Sequence, residues 1–122
     1  MFEKLPESLG NVVGYKATGT LSDADYKKLI PELDSLINEK GEIGLLLDFE
    51  EFDGWSLKAA FDDFRFAFKH HKKVKKFALV GDKKWEEEMA KLAKIFVFAD
   101  ARFFETSKIE DAWEWLKEGS KE

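Results

Sequence analysis

Apolar and polar positions along the chain switch between two periods. Val12-Val13-Gly14-Tyr15-Lys16-Ala17-Thr18 reads as a strand, preceded by a short one at residues 2–5. Ser22-Asp23-Ala24-Asp25 then has the form of a capping box, with Ser22 as cap and Asp25 in the place of the usual Glu. Behind it Tyr26, Leu29, Ile30, Leu33 and Ile37 recur at helical spacing up to Gly41, and Pro31 inside that helix is expected to bend it. Residues 43–49 form a continuous apolar run, as in a central strand covered on both faces. A second helix beginning near Ser56 carries Leu57, Ala60, Phe61, Phe64 and Phe68 on one stripe. Phe77-Ala78-Leu79-Val80 is another buried strand, closed by Gly81-Asp82. A third helix follows with Trp85, Met89, Leu92, Ala93 and Phe96, then a short strand at Arg102-Phe103-Phe104. Ser107 caps a last helix carrying Ala112, Trp113 and Leu116. The order β-β-α-β-α-β-α-β-α predicts an α/β fold: a mostly parallel sheet of four to five strands, flanked by about four helices on its two faces.

Composition narrows the function. The 122 residues contain no repeat or linker-like tract, so the whole chain reads as one domain. The net charge of −5 argues against nucleic acid as a partner, because phosphate contacts dominate that affinity. With 0 Cys there is no disulfide framework, thiolate nucleophile or zinc–thiolate site. The first residues lack the apolar core of a secretion signal, and no apolar run reaches the ~20 residues of a membrane span, so a cytoplasmic location is expected. Aromatics are 15% of the chain, with 12 Phe and 4 Trp, more than closing a small core requires.

The element order, with a loop between the central strand and the second helix, resembles the STAS fold of the anti-sigma-factor antagonists. The similarity is closer to the SpoIIAA-like family of small stand-alone bacterial proteins and spans nearly the whole chain. It is carried by Phe52-Asp53-Gly54-Trp55, by Asp63 and His70 on the second helix, and by Ala78-Leu79-Val80-Gly81-Asp82 with Trp85. Arg102-Phe103-Phe104 and Ala112-Trp113-Glu114-Trp115-Leu116 complete it. The resemblance implies a carrier-like, non-catalytic domain that takes apolar ligands and associates with membranes, and it brings no enzymatic motif and no cofactor. In the partner-switching antagonists a Ser at the start of this helix is phosphorylated within an Asp-Ser-Ser-Gly pattern. Here Asp53-Gly54-Trp55-Ser56-Leu57 departs from that pattern, and Glu50, Glu51, Asp62 and Asp63 would repel a phosphate. Ser56 therefore stands both as a phosphorylation candidate and, more simply, as a helix cap.

Two further segments have a functional reading beside a plain one. Lys69, Lys72, Lys73, Lys75 and Lys76, with His70 and His71 among them, form a dense positive patch. It suits peripheral contact with an anionic inner-membrane surface, or equally a solvated loop whose lysines favour a helix C-terminus. The adjacent histidines point apart on a helix, so no metal site is expected, and a carboxylate such as Asp63 would orient His70 in the core. Ile95-Phe96-Val97-Phe98-Ala99 makes the end of the third helix apolar all round. One expectation is an apolar pocket between movable second and third helices, lined by Trp55, Phe61, Phe64, Phe68, Trp85, Met89, Phe96 and Phe98, for an apolar or amphipathic, lipid-like small molecule. It would open at the carboxyl edge of the sheet, beside Phe52 and Trp55. The other is a Phe-rich core with a homodimer patch. Val80-Gly81-Asp82 is half of a nucleotide-binding turn and lacks the glycines of the full motif, so Asp82 reads as a cap for the third helix. The chain is thus expected to be a non-catalytic binding domain; the alternative is a protein–protein signalling module of the antagonist type, switched at Ser56.

Overall fold

The computed structural model describes residues 1–52, 54–68, 73–95 and 99–118, with side chains at all of them except 54–58. The expected order is present. Strands β1 (Phe2–Lys4) and β2 (Val12–Ala17) precede helix α1 (Asp23–Lys40), and β3 (Ile43–Asp48) precedes α2 (Gly54–Phe68). Then come β4 (Val74–Gly81), α3 (Glu86–Ala93), β5 (Asp100–Glu105) and α4 (Ile109–Lys117). The five strands lie in the order β1-β2-β3-β4-β5. The β1–β2 pair is antiparallel and the other three are parallel.

This sequential order decides where the helices go. Each parallel crossover steps in one direction along the sheet and is right-handed, so the three connecting helices fall on one face. The main core accordingly joins Leu29 and Leu33 of α1, Phe64 and Phe68 of α2, and Met89 and Leu92 of α3 to Ile43, Leu45, Leu47, Phe77 and Leu79 of the sheet. Alternate residues of the same strands, Leu46, Ala78 and Val80, turn to the other face and pack with Ala112, Trp113 and Leu116 of α4. The helices thus cover both faces, three against one. The order contains no reversal, and hence none of the crevice that opens where neighbouring crossovers diverge.

Local signals account for the element ends that were legible and for those that were not. The capping box forms as read: the Ser22 hydroxyl accepts from the Asp25 amide at 3.3 Å, and the Asp25 carboxylate accepts from the Ser22 amide at 2.8 Å. Helix α1 continues through Pro31 to Gly41, whose φ of +86° suits glycine. Several boundaries differ from expectation, three of them at helix ends that bear on candidate residues. Helix α2 starts at Gly54, so Ser56 is its third residue and not its cap. Helix α3 ends at Ala93, so Ile95 is not part of it, and residues 96–98 lie outside the described residues. Ser107 sits inside a 3-10 turn (Thr106–Lys108), and α4 begins at Ile109 with no side-chain cap. Asp82 does act as a cap, its carboxylate accepting from the Lys84 amide at 2.9 Å, but of a 3-10 turn (Lys83–Trp85) that leads into α3.

Candidate functional site

Helix α2 buries one stripe on the sheet and leaves another facing α1. Ala59, Ala60, Asp63, Phe66 and Ala67 recur at helical spacing on that second side, and three of the five are alanines. Two hollows result. One of about 410 Å³ is walled by Tyr26, Ile30 and Pro31 of α1 and by Asp63, Phe66 and Ala67 of α2. The other, about 300 Å³, lies between Gly19, Thr20 and Leu21 before α1, Phe52 after β3, and Ala59, Ala60 and Asp63. Gly19 takes φ +61°, a turn that leaves this end open and that a side chain would strain. Asp63 lines both hollows, so the two adjoin there and form a trough along α2 divided at Asp63. Phe66 stands at its rim, 80% exposed.

Tyr26 forms part of the trough wall and is 5% exposed. Its ring packs edge-on against Phe2, Phe64 and Phe68. Its hydroxyl finds no hydrogen-bond partner among the described residues. Burial above all, then the carboxylates of Asp63 and Asp25, hold the phenol well above its ordinary range, so it is a neutral donor. Asp63 itself is exposed and has no ion-pair partner among the described residues, whereas the nearby Asp23 is bridged to Lys27 at 2.9 Å.

The residues expected to line a ligand pocket divide differently. Phe64, Phe68 and Met89 are fully packed in the main core, and Phe61 and Trp85 are partly buried against it. Phe64 and Phe68 stack at 4.6 Å between centroids, and Phe64 meets Phe49 at 6.2 Å. These rings fasten α2 to the sheet. Met89 also lines a hollow on its far side, about 550 Å³, with Ala93, Ala101 and Phe103 between α3 and β5. Phe96 and Phe98 lie outside the described residues, as does the side chain of Trp55.

The lysine patch also separates. Lys76 extends to the end of α4, where its ammonium donates to the carbonyls of Trp115 and Glu118, both at 2.9 Å, and lies 5.2 Å from the Trp115 ring centre. It thus adds a charged donor to carbonyls at the end of α4, of which Trp115 also accepts from the Glu118 amide at 3.3 Å, and is not free for a membrane surface. Lys75 pairs with Glu42 at 3.5 Å, and Lys73 is exposed. Lys69, Lys72, His70 and His71 lie outside the described residues. Replacing Lys76 with methionine keeps the stem and removes the two charged hydrogen bonds, with an expected loss of about 1.5–3 kcal/mol in urea unfolding. A loss under a few tenths would show that water replaces the ammonium.

Asp48 is a buried carboxylate that the apolar reading of its strand passed over, 3% exposed at the carboxyl end of β3. Burial pushes its pKa up, and the Glu50 amide, donating to it at 2.9 Å, opposes that shift. Its role is to fold the chain back at the β3–α2 connection. The trough was likewise not foreseen. Its one sequence signal is Phe66, an aromatic two residues from Phe64 and therefore off the buried stripe.

The SpoIIAA-like family model matches residues 12–117, which takes in β2 through α4 and every residue of the trough. The chain belongs to the SpoIIAA-like family. A comparison with curated proteins finds no match. SpoIIAA-like domains are generally non-catalytic binding or regulatory domains, and the class of partner that membership supports is another protein. Among the described residues, no helix is long and apolar enough to cross a membrane.

Proposed function

We propose that this SpoIIAA-like protein is a non-catalytic regulatory module that acts by binding a partner protein through the α1–α2 side, with Ser56 as its switch. The observation that carries the reading is the trough itself. It is open to solvent, walled largely by apolar side chains and rimmed by an 80% exposed Phe66, and continuous patches of this kind mark interaction surfaces. Ser56, in the first turn of α2, precedes the trough by one turn. A phosphate there would face the positive end of the helix but would add about two negative charges near Glu50, Glu51 and Asp63. Affinity purification of tagged wild-type, Ser56→Ala and Ser56→Asp proteins from the source cells tests both parts. The expected result is one protein retained by wild type and Ser56→Ala and reduced at least tenfold with Ser56→Asp. Equal retention by both variants removes the switch, and retention of nothing by wild type removes the module.

A second reading is favoured by the 550 Å³ hollow beside Met89 and Phe103: an apolar or amphipathic small molecule carried on the α3 side, with peripheral membrane contact through Lys73 and its neighbours. It predicts an extra mass on the freshly purified protein in native mass spectrometry that organic extraction releases. A bare mass before extraction counts against it.

A further inference from the structure

We infer that the trough receives a helix of the partner protein carrying two apolar side chains about two turns apart with an Arg or Lys between them. This rests on the reading of the protein as a partner-binding module and specifies the chemistry of what it binds.

The larger hollow is mostly apolar with Asp23 and Lys27 at its edge, the smaller one mixes Leu21, Phe52, Ala59 and Ala60 with Gly19 and Thr20, and Asp63 lines both. The wall from Ala59 to Ala67 covers eight residue steps, about 12 Å of helix rise. Apolar side chains at i and i+7 of a facing helix are separated by a similar distance, about 10 Å, and share one face. The larger hollow, against Ile30, Pro31 and Ala67, holds one of them, and the smaller, against Leu21, Phe52 and Ala60, holds the other. Asp63 belongs to both hollows, so the residue facing it is at i+3 or i+4 of the same helix.

Charge selects that residue. Lys27 is already engaged by Asp23, and among the described residues the Asp63 carboxylate of the trough wall has no ion-pair partner. A basic side chain complements it, and an acidic one meets like-charge repulsion. Tyr26 contributes its ring to the wall beside Asp63, and its hydroxyl is buried beyond the partner's reach. The apolar walls supply affinity, and Asp63 sets the register.

The test uses the whole protein and a fluorescein-labelled synthetic helix with Leu at i and i+7, Arg at i+4 and Ala or Gln elsewhere. Fluorescence anisotropy is expected to show saturable binding by wild type. Asp63→Lys should weaken it at least tenfold, and the same peptide with Glu in place of Arg should bind Asp63→Lys better than wild type. Asp63 is exposed, so the substitution leaves the fold intact. Tyr26→Phe keeps the ring packing and should leave affinity unchanged without lowering Tm, because the hydroxyl is buried. Amide shifts in NMR should cluster at residues 19–31 and 59–67. Three results would overturn the inference: no peptide binding, equal binding of the Arg and Glu peptides, or shifts confined to α3 and β5. If wild type nevertheless retains a partner protein from cells, the module stands and only this account of its surface falls.

Discussion

Replacing Phe64 with alanine is expected to cost about 3–5 kcal/mol of folding stability, the largest effect of any single truncation in α2. Its ring is 1% exposed and lies among Tyr26, Phe49 and Phe68, with centroids 6.1, 6.2 and 4.6 Å away. Those neighbours come from α1, from the end of β3 and from α2 itself, so the cavity left behind has walls that cannot easily collapse. Urea unfolding monitored by far-ultraviolet circular dichroism measures the loss. A cost below about 1 kcal/mol would show that α2 rests loosely on the sheet. The result also bears on function. Lifting α2 to open a ligand space would expose Phe64 and Phe68, each worth about 1.5–3 kcal/mol of burial, before any new contact formed. A partner that docks in the existing trough avoids that cost, which is why the protein-binding reading comes ahead of the movable-wall one.

Phe64 also illustrates what the sequence could and could not disclose. Helical spacing identifies Phe61, Phe64 and Phe68 as one buried stripe, but it does not say whether the stripe faces a sheet or a ligand. Elements fixed by local chemistry were legible: the Ser22–Asp25 capping box, the apolar run of β3 covered on both faces, and the turn glycines. Features made by residues distant in the chain were not. Lys76 caps α4 across 39 residues of sequence, and from sequence it looked like one lysine among several in a basic run. Asp63 reads as a surface carboxylate and is one, but its charge acts on the Tyr26 phenol only because α1 and α2 lie side by side. Ser107 had the right residue type for a cap, yet a 3-10 turn displaced the start of α4 by one residue. The trough is legible only in retrospect, as the small and off-stripe residues of α2.

Gly14→Ala should destabilise the protein by about 1–3 kcal/mol, because overpacking is costly where the neighbour cannot give way. Gly14 faces α4 from β2, and a Cβ there would fall on the Trp113 ring, against Cη2 and Cζ2. Trp113 is 6% exposed and packed between the sheet and its own helix, so a rigid indole has no room to retreat. Two other strand glycines provide the comparison. A Cβ at Gly44 meets the Leu116 Cδ2 at 3.3 Å, and one at Gly81 meets the end of the Met89 side chain. Both contacts are with flexible tips, and methionine adapts readily to a changed shape. The expected order of damage is therefore Gly14→Ala first, with Gly81→Ala and Gly44→Ala behind it. Trp113→Phe removes the ring atoms in question, so the double variant Gly14→Ala/Trp113→Phe should lose less than the sum of the two single losses. Strict additivity would show that the strand, not the indole, resists the added methyl. Because α4 covers the face opposite the trough, Gly14→Ala should lower the unfolding midpoint while leaving peptide affinity of the folded protein unchanged. A fall in both would mean that the two faces of the sheet are coupled, and that the trough's shape depends on how α4 seats.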